Sequence, residues 1–131
     1  MSRKSPARKG AKRPPDPAAE ILESAILACE ERKATDGVVL DLRQVSDATD
    51  YFLIVSGTSD THVRAIADYV VETLQARGHQ KPYSIEGHSQ GRGVVIDYVD
   101  LVVHVFHPTQ RAFYQLEGLW GDAPQRRLPN P

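Results

Sequence analysis

Apolar residues along the chain follow two periods. Ile21, Leu22, Ala25, Ile26 and Cys29 recur at the spacing of one helix face. Asp16-Pro17 opens that helix: Asp suits the N-cap, and Pro suits the first helical position, where its missing N–H would be unpaired anyway. Val38 to Leu42 is a short β-branched run and predicts a strand. Tyr51 to Val55 is apolar throughout, which predicts a strand buried on both faces. Val63, Ile66, Ala67, Val70, Val71 and Leu74 form a second helical stripe. Thr58 or Ser59 caps it, Asp60 suits its positive end, and Arg77-Gly78 stops it. Pro82 to Glu86 predicts a third strand, and Gly87, Gly91 and Gly93 predict a mobile loop after it. Val94 to Asp97 and Leu101 to Phe106 read as a hairpin joined around Tyr98-Val99. Pro108 starts a last helix, with Phe113, Leu116, Leu119 and Trp120 as its apolar stripe and Gly121 as its end.

The order is helix, strand, strand, helix, three strands, helix. It predicts an α/β fold: one five-stranded mixed sheet with helices packed on it. The middle helix is a crossover that makes strands two and three parallel, and the last three strands meander. Residues 16–122 form the domain. Residues 1–15 read as a disordered basic arm and residues 123–131 as a loose tail.

Composition narrows the function classes. The formal net charge is −1, yet Arg3, Lys4, Arg8, Lys9, Lys12 and Arg13 crowd the arm without an acid between them. Attraction to RNA phosphates is one reading of the arm and a solubilising tail the other. Cys29 is the only cysteine. A disulfide within the chain and a cysteine-based metal site are therefore excluded, and a reducing cytoplasm is expected. No apolar run approaches the roughly 18 residues that span a bilayer.

Candidate chemistry falls at five places. Gly57-Thr58-Ser59 sits at a strand-to-helix turn, where N–H groups can hold an anion. A nucleotidyltransferase would pair such a turn with metal-binding carboxylates, and Asp97 and Asp100 are the available pair. They flank a turn instead of alternating on one strand, which is poor metal geometry. His104 and His107 straddle a strand end and are expected to diverge, with His104 a hydrogen-bonded core histidine. Ser89 in Gly87-His88-Ser89-Gln90-Gly91 has the spacing of a nucleophile elbow but not its strand-to-helix context. Asp97 ends an apolar run and needs a partner, either as a turn cap or as an acceptor for a basic partner protein. Arg111 and Tyr114 are three residues apart on the helix that ends at Trp120, and these are the residue types that dominate protein interfaces.

Several segments together resemble the ribosomal silencing factor family, also called RsfS or Iojap-like. They are Asp50-Tyr51-Phe52-Leu53-Ile54, Gly57-Thr58-Ser59, His62 to Asp68, Glu86-Gly87 and Asp97-Tyr98-x-Asp100. Val103-His104-Val105-Phe106 and Arg111-x-Phe113-Tyr114-x-Leu116-Glu117-x-Leu119-Trp120 complete the set. The resemblance runs from about Pro17 to Asp122. It implies a nucleotidyltransferase-like fold without catalysis, metal or cofactor. It also implies binding to the large ribosomal subunit at its fourteenth protein, steric block of subunit joining, and lowered translation. Homodimers in the free state and a cytoplasmic location are implied as well, and relatives in organelles act in ribosome assembly.

On this resemblance Val95, Asp97, Arg111, Tyr114 and Trp120 are the expected partner-binding residues. The chain departs from the family pattern at Gly93, where Trp is usual, and at Val99, where Gly is usual. Val resists the positive φ that Gly would allow, so the turn either differs or carries strain. Two other functions stay open at this point: a minimal metal-dependent nucleotidyltransferase using Ser59 and Asp97, and an RNA-binding ribosome-assembly module working through the arm.

Overall fold

The computed structural model describes residues 16–110 and 120–131. The elements are α1 (Pro17–Glu31), β1 (Thr35–Asp41), β2 (Tyr51–Ser56), α2 (Asp60–Ala76), β3 (Ser84–Glu86), β4 (Gly93–Asp97), β5 (Leu101–Phe106) and β6 (Gln125–Arg127). A single 3-10 turn, Pro108–Gln110, follows β5. The expected basic arm and most of the expected last helix, including Arg111 and Tyr114, lie outside the described residues.

Both described helices are closed by the side chains that the sequence offers. Asp16 Oδ1 accepts the N–H groups of Ala18 and Ala19 at 3.1 and 3.4 Å. Ser59 Oγ accepts the N–H of His62 at 3.0 Å and is the N-cap of α2. At the other end of α2, the N–H of His79 reaches the carbonyl of Leu74 and that of Gly78 the carbonyl of Gln75. This is a Schellman stop, with Gly78 at φ 86°. The end of α1 makes the same pair of bonds, from Ala34 to Cys29 and from Lys33 to Glu30. Lys33 holds the left-handed position at φ 61° without being glycine.

The sheet order is β3-β4-β5-β2-β1-β6. β2 and β5 are parallel, with Phe52 opposite Val102 and Ile54 opposite His104. Every other pairing is antiparallel. β3 therefore runs in the direction of β2, as expected of a crossover, but the two strands are not neighbours. The sheet has six strands rather than the five expected, because the segment expected to be a loose tail supplies β6. The segment is tied to β1 by its backbone: the N–H of Asp41 reaches the carbonyl of Pro124, and that of Leu128 reaches Gly37. Asn130 Oδ1 accepts the N–H of Asp36 at 2.9 Å, and Arg126 pairs with Glu23 at 2.8 Å. Gln125-Arg126-Arg127 has no apolar alternation, since both faces of this edge strand are exposed. Such a strand is invisible to hydrophobic patterning.

Two packed layers flank the sheet. On one face α1 and α2 cover Leu53, Val55, Val94, Ile96, Leu101, Val103 and Val105, all essentially fully buried. On the other face Val38, Leu40, Leu42 and Ile54 pack with Ala123, and Phe52, Phe106 and Trp120 border them half-buried. The loop after β3, expected to be mobile, makes contacts with the elements around it. His88 Nε2 contacts Asp68 Oδ1 on α2 at 2.7 Å, and the N–H of His107 reaches the carbonyl of Arg92 at 2.7 Å. Gly87 is required there: its φ is 84°, and a Cβ would collide with the carbonyl of Gly93.

Candidate functional site

Alternation along β4 places Val94 and Ile96 under the helices and Val95 and Asp97 on the opposite face. Register extends that second face across the sheet. Val95 lies opposite His104, Asp97 opposite Val102, and Gly93 opposite Phe106. All of these residues are half-buried, against near-complete burial on the helix-covered face. Trp120 belongs to the same face, its ring edge-on to Phe52 with centroids 6.2 Å apart. The structure thus brings Val95, Asp97 and Trp120 onto one face.

An aromatic row missing from the sequence reading connects them. Phe52 meets the His104 ring edge-on at 4.7 Å, and His104 stacks on Phe106 at 5.9 Å and 16°. Phe106 in turn covers Gly93, whose Cβ, if present, would lie 3.3 Å from the ring. The missing side chain at Gly93 is therefore partly replaced by the ring across the strand pair. The row was hidden in the sequence because β5 is apolar at almost every position, so its two faces look alike. Only the register between β2 and β5 separates them.

His104 is not the hydrogen-bonded core histidine expected. Its Nε2 is buried without a partner among the described residues. Burial pushes its pKa down to about 4, so the ring is neutral at pH 7. Its ring neighbours Phe52 and Phe106 carry no lone pair to accept a hydrogen bond from it.

Asp97 is first of all a turn cap. Its Oδ1 accepts the N–H of Val99 at 2.7 Å. The N–H of Asp100 reaches the carbonyl of Tyr98 at 2.9 Å, two residues back, around Val99 at φ 75°. Those features define a classic γ-turn, a strained conformation and an uncommon one for a β-branched residue. Of the two outcomes left open for Val99, the turn carries strain. Tyr98 anchors it from below, fully buried, with its hydroxyl pushed up to about 12 by that burial.

The anion-binding turn has a different occupant from the one expected. His62 Nδ1 lies 2.8 Å from the N–H of Thr58 and accepts it, while Nε2 lies 2.7 Å from the carbonyl of Arg32 and donates to it. The N–H of Gly57 goes to Phe106. Two N–H groups that could face a phosphate are thus already bonded within the protein. Ser59 follows the end of β2, whereas Asp97 aligns through Val102 with Phe52 near its start. Phe52 and Ser56 alone are about 13 Å apart along the strand, so Ser59 and Asp97 share no metal. Among the described residues no three His, Cys, Asp or Glu side chains gather to hold an ion. Ser89 lies in the loop between β3 and β4, with no helix after it and its carbonyl 3.4 Å from Arg64. No described helix is long and apolar enough to cross a membrane.

Comparisons with known proteins converge. The sequence model of the family described as "Ribosomal silencing factor during starvation" matches residues 15–131. The Bacillus subtilis "Ribosomal silencing factor RsfS" is 44% identical over 104 residues, covering 79% of this chain and 87% of that protein. A mouse protein named "Mitochondrial assembly of ribosomal large subunit protein 1" is 31% identical over 101 residues, covering 76% of this chain and 44% of that protein. Among solved structures, a Chromobacterium violaceum protein superimposes with a TM-score of 0.75 at 35% identity. That superposition covers 79% of this chain and 86% of the other.

Proposed function

Because the chain belongs to the ribosomal silencing factor family, we propose that it binds the large ribosomal subunit at its fourteenth protein and blocks joining of the small subunit by occupying the joining face. The action is steric: it needs a surface and no reactive group. The observation that carries the reading is the half-buried sheet face with Val95, Asp97 and Trp120 around the row Phe52, His104 and Phe106. Aromatic and aliphatic side chains of this kind supply most of the binding energy in protein interfaces.

Val95 supplies apolar contact, and Asp97 contributes acidity beside it. Arg111 and Tyr114, outside the described residues, complete the partner-binding set, with Tyr114 filling a pocket while offering its hydroxyl. The basic residues between Arg3 and Arg13 add contact with ribosomal RNA phosphates. In the free state the protein is a homodimer and cytoplasmic. Sucrose-gradient cosedimentation with purified large subunits tests the proposal. Wild-type protein travels with the subunit and Tyr114→Ala is retained less. Wild-type protein left at the top of the gradient overturns it.

A further inference from the structure

Two of the most exposed large apolar side chains lie at one end of β3 and β4: Tyr83 at 80% and Val99 at 50%. Both backbones hang from the same residue. The N–H of Tyr83 goes to the carbonyl of Asp97 at 2.7 Å, and the N–H of Val99 goes to Asp97 Oδ1 at 2.7 Å. The Val99 turn is strained, with buried Tyr98 before it and the Asp97 carboxylate bonded to its own N–H. Strain of this sort gathers at sites that display a group to a partner.

We propose that Asp97 is a positioning residue, and that the hairpin tip it holds, Val99 together with Tyr83, extends the docking surface to an apolar patch rimmed by basic residues on the partner protein. The inference rests on the large-subunit reading above, and it changes the role of Asp97 within that reading from direct acceptor to clamp. The tip is continuous with the proposed surface, because β4 carries Val95 and Asp97 into it. The charge around it points to a basic rim: Asp100 is exposed directly after Val99, and half-buried Asp97 stands two residues before it. Burial and the charge of Asp100 both raise the pKa of Asp50, another mark of an acidic end.

Four variants separate the alternatives in gradient cosedimentation with large subunits, each first checked for native circular dichroism. Asp97→Asn keeps an oxygen for the N–H of Val99 but removes the charge, and it retains binding within about two-fold. Asp97→Ala removes the clamp and weakens binding about ten-fold. Val99→Ser and Tyr83→Ser, both at exposed positions, weaken binding without lowering the melting temperature. Asp97→Asn weakening binding as much as Asp97→Ala would show a direct charge contact and overturn the clamp. Unchanged binding by Val99→Ser and Tyr83→Ser would remove the tip from the surface. In either of those cases wild-type retention keeps the functional reading intact, whereas absence of wild-type retention overturns both.

Discussion

His62 accepts the backbone N–H of Thr58 through Nδ1 at 2.8 Å, while its other ring nitrogen donates to the carbonyl of Arg32 at 2.7 Å. One side chain thus closes the turn between β2 and α2 and ties it to the end of α1. The turn has the Gly57-Thr58-Ser59 sequence expected of an anion site, but the N–H groups of Gly57 and Thr58 are in use. Titration calorimetry with a nucleoside triphosphate and magnesium is expected to give no heat beyond dilution. Saturable heat at micromolar affinity would contradict this and revive the nucleotidyltransferase reading.

Lys33 occupies a left-handed position that glycine adopts without strain. Lys33→Gly is expected to stabilise the fold by about 1 kcal/mol and raise the melting temperature by a few degrees. Thermal unfolding followed by circular dichroism checks it. A fall in melting temperature would mean that Lys33 makes a contact worth more than the relieved strain.

The neutral, buried imidazole of His104 makes stability depend on pH. In the unfolded chain histidine protonates near 6.5, but in the fold His104 does so only near 4. Between those values the unfolded state binds more protons, so stability falls as the pH falls. The loss is at most about 3 kcal/mol over the whole window. In denaturant titrations from pH 7 to pH 4, His104→Phe should lose less stability than wild type. Equal losses would show that His104 is free to protonate in the fold.

Cys29 lies on the buried face of α1, and burial, aided by the neighbouring charge of Glu30, raises its thiol to about 12. A thiol reagent at pH 8 is expected to modify it only after denaturant is added. Fast labelling of the native protein would contradict the packing described for α1.

Where a single hydrophobic period dominated, the elements could be read directly: both described helices, their caps at Asp16 and Ser59, and the hairpin from β4 to β5. Strand β6 could not be read, because Gln125–Arg127 pairs through its backbone and buries no apolar face. The aromatic row across Phe52, His104 and Phe106 was hidden by uniformly apolar strands, whose facing side chains follow only from the β2–β5 register. At Val99 the sequence posed a choice between a different turn and a strained one, and φ 75° decides for strain. Asp97 was balanced between cap and acceptor. The bond to Val99 establishes the cap.

A subunit-joining assay tests the proposed steric block. Purified small and large subunits are mixed at a magnesium concentration that favours joining, with and without a molar excess of this protein, and resolved on a sucrose gradient. A smaller peak of joined ribosomes is expected, with the protein migrating alongside free large subunits. An unchanged joined peak with the protein at the top of the gradient would contradict it.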